Sequence, residues 1–455
     1  MPLSLQNHLR ALESGDYNAE SYAGSLIERI EAAKDDGAFI SYDAQALMAE
    51  AQASDERRKS GQAGALDGAF IGVKDNIDTT GLPTTGGTRG LTAAAADNAP
   101  PLQRLLDQGA VVAGKTNLHE LAFGITSNNG VFGPVRNPAD RNMIAGGSSG
   151  GTAAAIAAGI VPAGLGSDTG GSSRIPAALC GVVGFRPSSG RYPSGGVVPL
   201  SSTRDTIGPM GSCVADVALL DAVMAGEGRT ADGMPNAADL RIAVPRRVLW
   251  DNLEPAVSAR CEATLEALAK AGVALIETDP EDLWEDDAAA SFPIVLYETM
   301  AELPAYLEGR GVAFAAMLDA VGSPDVRGVL ESQLGAEKMP EAAYQAALTV
   351  HRPNMQKNWA AWFEANQIDA AIFPTTPLTA RPIGHDETVE LNGEQVPTFP
   401  TYIRNTDHGS VIGAPGLSLP TAGDGLPVGI ELDGAVGSDR RLLQVAACVE
   451  AIINR

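Results

Sequence analysis

The spacing of apolar residues differs between two parts of the chain. Within residues 1–60, Tyr22, Leu26 and Ile30 recur at the interval of one buried helix face. From residue 61 onwards, short apolar runs such as residues 69–73 and 110–113 alternate with helical or glycine-rich stretches. This alternation predicts an α/β architecture with a mixed or parallel sheet.

The same alternation continues to the end of the chain. Further helices are predicted over residues 44–53, 101–109, 258–271 and from Asp439 onwards, and further strands over residues 241–245, 370–374 and 427–432. Residues 280–345 are helical in character. No repeat or linker interrupts the series, so we expect one large domain over residues 1–455.

Composition and charge narrow the class of protein. A chain of 455 residues with 44% hydrophobic residues can bury a sizeable core, which excludes disordered chains and small disulfide scaffolds. The net charge of −24 repels phosphate backbones, and the longest basic cluster is only residues 57–59. We therefore expect no nucleic-acid partner.

The cysteines and the apolar stretches point to a cytoplasmic protein. Cys180, Cys213, Cys261 and Cys448 form no C-x-x-C pair, which favours buried thiols in a reducing compartment. Residues 1–30 carry several charges and no apolar run of signal-peptide length. The longest apolar stretch, residues 152–166, is too short to span a bilayer, so we expect no membrane partner.

The sequence G-G-S-S-G-G at residues 146–151 is the first candidate for chemistry. It matches G-x-S-x-G twice and opens a helix of small residues, as the nucleophile elbow of an α/β-hydrolase does. Residues 141–145 make a poor strand, however, and the only downstream histidines are His351, His385 and His408. A glycine-rich helix start packed near a strand is the structural alternative.

A glycine-rich loop and a lysine are two further candidates for chemistry, and each supports the other. Consecutive N–H groups around paired glycines at residues 166–174 can form a nest for an oxyanion, although the same residues are typical of a surface turn. Lys74 directly follows an apolar strand, where burial would let it lose its proton and act as a base. A solvated lysine at the start of a loop is the alternative. The five histidines show no metal-ligand spacing.

Together these elements resemble the amidase signature family. The resemblance rests on G-V-K-D-N at residues 72–76, G-G-S-S-G-G at 146–151, S-D-T-G-G-S-S-R-I-P-A at 167–177, C-G-V-V-G-F-R-P at 180–187 and T-R-D-T-I-G-P at 203–209. Weaker agreement extends over most of the chain except residues 229–368. The family assignment implies a central mixed sheet of about eleven strands flanked by helices.

The resemblance also implies a Ser-Ser-Lys triad and an acyl-enzyme intermediate. Carried over by position, Ser172 is the nucleophile, Ser148 the bridging serine, commonly after a cis peptide bond, and Lys74 the terminal base. The oxyanion hole would consist of the backbone N–H groups of Thr169, Gly170, Gly171 and Ser172. Asp168 and Arg174 would brace this loop. No metal or organic cofactor is implied.

The resemblance divides the expected domain into functional parts. These are a helical part at 1–60, the catalytic core at 61–215, a variable region at 229–368 where the substrate pocket is expected, and C-terminal strands and helix at 369–455. Residues 190–192 and 197–209 look most like family members acting on aryl-acetamides. We therefore expect hydrolysis of small, mostly apolar amides.

Several alternatives share the triad or the fold. Carbamate (urethane) and anilide hydrolases use the same triad, and the A subunit of the glutamyl-tRNA amidotransferase has the same core. An α/β-hydrolase esterase and a non-catalytic subunit are alternatives of another class. We expect a small-molecule amide or carbamate as substrate, and a homodimer is compatible with the sequence.

Overall fold

A computed structural model describes residues 4–227, 233–281 and 283–454. Residues 229–232, at the start of the region where the substrate pocket is expected, lie outside the described residues. So do residues 1–3 and 455, the two ends of the expected domain.

The strands and helices of the described residues follow in chain order. The strands are β1 (Phe39–Ser41), β2 (Phe70–Lys74), β3 (Val111–Thr116), β4 (Asn128–Asn129), β5 (Gly133–Pro134), β6 (Arg136–Asn137), β7 (Asp140–Ile144), β8 (Ala163–Asp168), β9 (Val183–Arg186), β10 (Thr206–Gly211), β11 (Arg241–Val244), β12 (Ala274–Glu277), β13 (Ala370–Pro374), β14 (Thr388–Leu391), β15 (Glu394–Pro397), β16 (Gly416–Pro420) and β17 (Gly429–Asp433). The α-helices are α1 (Leu5–Ser14), α2 (Ala19–Ala32), α3 (Ala44–Lys59), α4 (Pro100–Asp107), α5 (Gly150–Ala157), α6 (Arg174–Cys180), α7 (Val214–Ala225), α8 (Pro255–Lys270), α9 (Leu283–Gly309), α10 (Phe314–Ala320), α11 (Pro324–Leu334), α12 (Glu341–Ala346), α13 (Arg352–Asn366), α14 (Thr398–Ile403), α15 (Asp407–Ile412) and α16 (Asp439–Ile453).

Eleven of these strands form one central mixed sheet. Their order is β1-β3-β2-β8-β10-β9-β16-β17-β13-β11-β12. Strand β2 runs parallel to β3 and β8, whereas β10 runs antiparallel to β8 and β9. The expected α/β fold with about eleven mixed strands is therefore confirmed.

The predicted elements hold where the apolar period is strong. Tyr22, Leu26 and Ile30 are buried along α2, and β13 and the start of α16 lie at the predicted residues. One expectation was wrong: residues 141–145, predicted to make a poor strand, largely belong to β7 (Asp140–Ile144). That strand pairs with β6 outside the central sheet, because its exposed polar residues cannot be buried between two layers of helices.

The shared direction of β2 and β8 determines where the loops that follow these two strands meet. Both strands are buried, and in their parallel register Val73 lies beside Leu165. Lys74 and Asp168, their last residues, therefore end at the same edge of the sheet. Helix α5 packs against both strands and begins at this edge. None of the helices described is long and apolar enough to cross a membrane.

Candidate active site

Lys74 is completely buried at the end of β2. In the charged form of the amine, Nζ donates hydrogen bonds to Ser148 Oγ at 2.7 Å and to Ser167 Oγ at 2.8 Å. Burial lowers the pKa of Lys74 to about 7, although the negative charges of Asp168 and Asp205 act in the opposite direction. A substantial fraction of the amine is therefore neutral near neutral pH.

The neighbouring Asp75 is not among the carboxylates that oppose this effect. Its carboxylate lies 3.2 Å from Lys115 Nζ and also accepts from the N–H of Thr85. Asp75 is therefore the ion-pair partner of Lys115 and not of Lys74.

Ser148 is fixed in the loop between β7 and α5. The Gly147–Ser148 peptide bond is cis, as commonly found in the family. The carbonyl oxygen of Ser148 accepts from the backbone N–H of His119 at 3.1 Å and from Ser127 Oγ at 3.3 Å. The Ser148 hydroxyl is thus buried and held against the Lys74 amine.

Ser172 lies beside this loop. The N–H of Ser149, the residue after Ser148, donates to the carbonyl oxygen of Ser172 at 3.1 Å. Ser172 is only partly buried, whereas Ser148 and Lys74 are fully buried. The structure thus brings the three predicted triad residues into one neighbourhood, with Ser172 at the accessible end.

The loop from Thr169 to Ser172 has its backbone carbonyls occupied. Each of the four accepts one hydrogen bond, from Arg204 Nε, Thr406 Oγ1, the N–H of Ile175 and the N–H of Ser149, in chain order. A side chain could not replace the hydrogen at Gly171, since a Cβ there would lie 2.1 Å from Thr406 Oγ1. The peptide planes of this loop are thereby fixed.

Three of the four predicted oxyanion donors are available. The N–H of Gly171 donates to Asp168 Oδ1 at 2.9 Å. The N–H groups of Thr169, Gly170 and Ser172 make no hydrogen bond to any residue that the structure describes. The loop thus presents three unpaired N–H donors. Gly171 provides no free N–H, but its lack of a side chain lets Thr406 pack closely against the loop.

Asp168 and Arg174 hold the loop from beneath. The Asp168 carboxylate accepts from the N–H groups of Gly171 and Ser173, and from Arg174 Nη2 at 3.0 Å. Burial raises the pKa of Asp168, but the guanidinium groups of Arg174 and Arg186 more than offset this and hold it well below its ordinary value. Arg174 also bonds Glu431 Oε1 at 2.5 Å.

A mainly apolar cavity of about 500 Å³ opens above Ser172. Its wall includes Thr169 and Gly170 of the donor loop, and Arg204, which is ion-paired with Asp407. Helices α9 and α11 supply much of the remaining wall, so the region after residue 229 contributes to it. Its larger apolar side chains are Phe123, Ile125, Ile175, Leu200, Phe292, Val295, Leu296, Val329, Met339, Phe399 and Ile403.

The histidines do not form a hydrolase triad with these serines. In the described chain, no imidazole hydrogen-bonds Ser148, Ser149 or Ser172. His408 is enclosed by Trp284, Trp359 and Phe373, and burial lowers its pKa to about 3. Within the same residues, no three His, Cys, Asp or Glu side chains are arranged to hold a metal ion.

Sequence reasoning missed two side chains of this site. Ser167 Oγ contacts Lys74, and Asn76 Nδ2 donates to Ser167 Oγ at 2.9 Å. Both residues lie inside the motifs that carried the resemblance, at the carboxyl ends of two adjacent parallel strands. A parallel pairing of those strands was the signal that could have joined them.

Comparison with known proteins agrees with this geometry. The Amidase family profile matches residues 23–443. The indoleacetamide hydrolase of Rhizobium radiobacter is 41% identical, covering 99% of this chain and 97% of that protein. The mandelamide hydrolase of Pseudomonas putida is 39% identical, covering 92% of this chain and 85% of that protein.

A solved structure supports the same assignment over the whole fold. A crystal structure of an amidase superposes with a TM-score of 0.88 at 34% identity, covering 99% of this chain and all of that one. The chain belongs to the amidase signature family and is an enzyme that hydrolyses amide C–N bonds.

Proposed function

We propose that the enzyme cleaves small aryl-acetamide-like amides with Ser172 as nucleophile, Ser148 as bridging serine and Lys74 as base. The observation that carries the mechanism is the buried Lys74 amine, which hydrogen-bonds the Ser148 hydroxyl and forms no ion pair with a carboxylate of the described residues. A serine hydroxyl is a weak nucleophile and needs such an acceptor for its proton.

In the proposed acylation step, protons pass between Ser172 and Lys74 through the Ser148 hydroxyl. Ser172 Oγ attacks the amide carbon, its proton passes to Ser148 Oγ, and the Ser148 proton passes to Lys74 Nζ. The carbonyl oxygen becomes an oxyanion that accepts from the free N–H groups of the loop after Asp168. The proton then returns from Lys74 through Ser148 to the leaving nitrogen, and the C–N bond breaks. Water releases the acyl group from Ser172 by the same relay.

The cavity supports an aromatic acyl group. Phe292 and Phe399 lie with ring centroids 6.3 Å apart in its wall, and the other large side chains there are mostly aliphatic. A flat, apolar group would bury its surface against this aromatic pair. The hydrolases of indoleacetamide and mandelamide named above act on amides of this kind, which supports the same class for this chain.

The substrate proposal is tested by product release from a matched panel. We expect phenylacetamide and indoleacetamide to exceed acetamide in kcat/KM by at least about tenfold, because burying the ring stabilises the transition state by more than 1.4 kcal/mol. Anilides with the same acyl group, and carbamates that carry the same ring on their alkoxy group, should be slower. A carbamate preferred over its matched amide would favour a urethane hydrolase instead.

The nucleophile is tested by Ser172→Ala. Since no acyl-enzyme can form, turnover should fall to the small residual rate provided by binding and the oxyanion donors. Ser60→Ala, at an exposed serine outside the cavity whose hydroxyl donates to the carbonyl oxygens of Glu56 and Arg57, is the control and should keep its rate. Prolonged dialysis against a chelator should leave activity intact. Loss restored by zinc would contradict the proposed base.

We also propose a cytoplasmic enzyme without nucleic-acid or membrane partners. The free thiols of Cys180, Cys213 and Cys261 and the net charge of −24 support this proposal. A homodimer remains a prediction, and light scattering at several protein concentrations would test it.

A further inference from the structure

Lys74 is held by a second hydroxyl besides that of Ser148. Ser167, the penultimate residue of β8, is almost fully buried, and its Oγ receives hydrogen bonds from Lys74 Nζ and from Asn76 Nδ2. Asn76 is also buried and follows Lys74 by two residues. Ser167 and Asn76 thus form a small polar contact on the side of the amine that does not face Ser148.

The backbone ties this contact to the proposed relay. The N–H of Ser167 donates to Ser149 Oγ at 3.2 Å, and Ser149 Oγ donates to the carbonyl oxygen of Ser167 at 3.1 Å. Ser149 adjoins Ser148 in the chain. The acceptor for one side of the Lys74 amine is therefore fixed relative to the hydroxyl on its other side.

The numbers of hydrogens and lone pairs on the Lys74 amine and the Ser167 hydroxyl indicate what their contact does. A neutral lysine amine has two N–H bonds and one lone pair, and it can take a proton from Ser148 only if the lone pair faces Ser148. A hydroxyl oxygen has two lone pairs. At Ser167 one of them accepts from Asn76 and the other from Lys74, so this oxygen holds an N–H of the amine.

We propose that Ser167 and Asn76 are positioning residues that hold the Lys74 amine with its lone pair directed at Ser148. Asn76 fixes Ser167 as an acceptor, and Ser167 fixes the rotation of the amine. Neither residue touches the substrate in this scheme. The inference rests on the proposed role of Lys74 as base.

The charges around Lys74 explain why a neutral amide suits position 76. The carboxylates that act on Lys74 are those of Asp168 and Asp205. Asp168 is paired with Arg174 and Arg186, and Asp205 accepts from Thr169 Oγ1 and two backbone N–H groups. A carboxylate at position 76 would instead lie one hydroxyl away from Lys74 and would stabilise its charged form.

The test is kcat/KM against pH for Ser167→Ala, Ser167→Thr and Asn76→Asp. Ser167→Ala should lower the alkaline plateau about tenfold or more, mainly through kcat, because the amine loses its orientation. Its acid limb should move to lower pH, since an acceptor for the charged amine is lost. Ser167→Thr keeps the hydroxyl and should retain most activity. Asn76→Asp should move the acid limb upwards by about one pH unit or more.

Ser418→Ala is the matched control. Ser418 is a fully buried serine of the same sheet whose hydroxyl pairs with Thr375 Oγ1 at 2.7 Å. This variant should show a comparable loss in melting temperature with an unchanged pH profile. A loss of rate in Ser167→Ala that only follows its loss of stability would be matched by the control and would overturn the inference.

The outcomes separate this inference from the proposed function. Wild-type limbs in both folded Ser167→Ala and Asn76→Asp would overturn the inference alone, provided that Lys74→Arg is inactive. If Ser167→Ala does not fold, the limb of Asn76→Asp decides. Full activity of Lys74→Arg would overturn the proposed base itself.

Discussion

Two buried lysines on adjacent strands have different surroundings. Lys74 ends β2, and Lys115 lies on β3 beside Val73 in the parallel register. Both side chains are fully buried. Among the described residues, Lys74 Nζ hydrogen-bonds only the hydroxyls of Ser148 and Ser167, whereas Lys115 Nζ lies 3.2 Å from the Asp75 carboxylate.

The difference between them lies in the partner rather than in the burial. Burial lowers the pKa of both lysines, but at Lys115 the adjacent Asp75 is the main opposing charge. Lys115 also donates to the carbonyl oxygen of Ile77 at 2.7 Å and to Thr84 Oγ1 at 3.1 Å. Such a pair anchors the loop after β2, while an amine among neutral hydroxyls can exchange a proton. Burial alone therefore does not identify a catalytic lysine.

The largest expected effect is on the rate of Lys74→Arg. A guanidinium stays charged and cannot accept the proton relayed by Ser148, so kcat/KM should fall by about 10² to 10⁴. Lys74→Ala should be similarly inactive. Steady-state kinetics with phenylacetamide, together with circular dichroism to verify folding, provide the measurement. An arginine variant with most of its activity would mean that Lys74 supplies only a positive charge.

The corresponding change at Lys115 should act on stability instead. Lys115→Met leaves the buried Asp75 carboxylate without its partner, which costs about 3 to 5 kcal/mol of unfolding free energy. Urea unfolding measures this cost, and the activity of the remaining folded enzyme should change by no more than a few-fold.

A second substitution tests the cause of that loss. In the double variant Asp75→Asn, Lys115→Met the buried charge is gone, while the asparagine oxygen can still accept from Thr85. The double variant should therefore be more stable than Lys115→Met alone. Equal or lower stability would show that the ion pair is not the source of the loss.

The pH dependence should follow one lysine only. Lys74 must be neutral to act as base, and its pKa is about 7 in the fold, so kcat/KM should rise with pH and level off above neutrality. Below pH 7 the rate should fall about tenfold for each pH unit. Lys115→Met should show the same acid limb in its folded fraction. A limb that moved in this variant would mean that Lys115 contributes to the titration.

The sequence predicted the residues around Lys74 better than it predicted the ion pair of Lys115, and the difference has a physical reason. Strong apolar periodicity located β13 and α16, and motif matching selected Lys74, Ser148 and Ser172. The roles of the last three remain a prediction. The pairing of Asp75 with Lys115 depends on strand register, which local patterns do not contain.

The oxyanion loop shows a similar limit. All four of its N–H groups were expected to face an oxyanion, but the side chain of Asp168 turns back and takes that of Gly171. Such a local side-chain contact depends on the φ and ψ angles of the loop, which residue types alone leave open. The pocket was expected in residues 229–368, but the sequence did not indicate that α9 and α11 form its apolar wall, because that region carries no diagnostic motif.

The smallest expected effect is also the sharpest contrast between the two lysines. Unfolded Lys74 has its ordinary pKa of 10.5, whereas the folded value is about 7. Between these values the unfolded state binds a proton that the folded state lacks, so the destabilisation by this group is greatest at pH 7 and below and decreases progressively towards pH 10. Lys74→Met removes that cost, but the Ser148 hydroxyl loses its lysine partner and Ser167 Oγ keeps only Asn76, which offsets most of the gain.

We therefore expect Lys74→Met to be more stable than the wild type by about 1 kcal/mol at pH 7, with the difference gone or reversed near pH 10. Urea unfolding at both pH values measures this, and Lys115→Met provides the comparison, since the same substitution there should destabilise. Equal losses from both substitutions at pH 7 would mean that Lys74 is a structural cation like Lys115. The opposite signs would instead tie the loss of activity in Lys74→Met to the missing base rather than to a damaged fold.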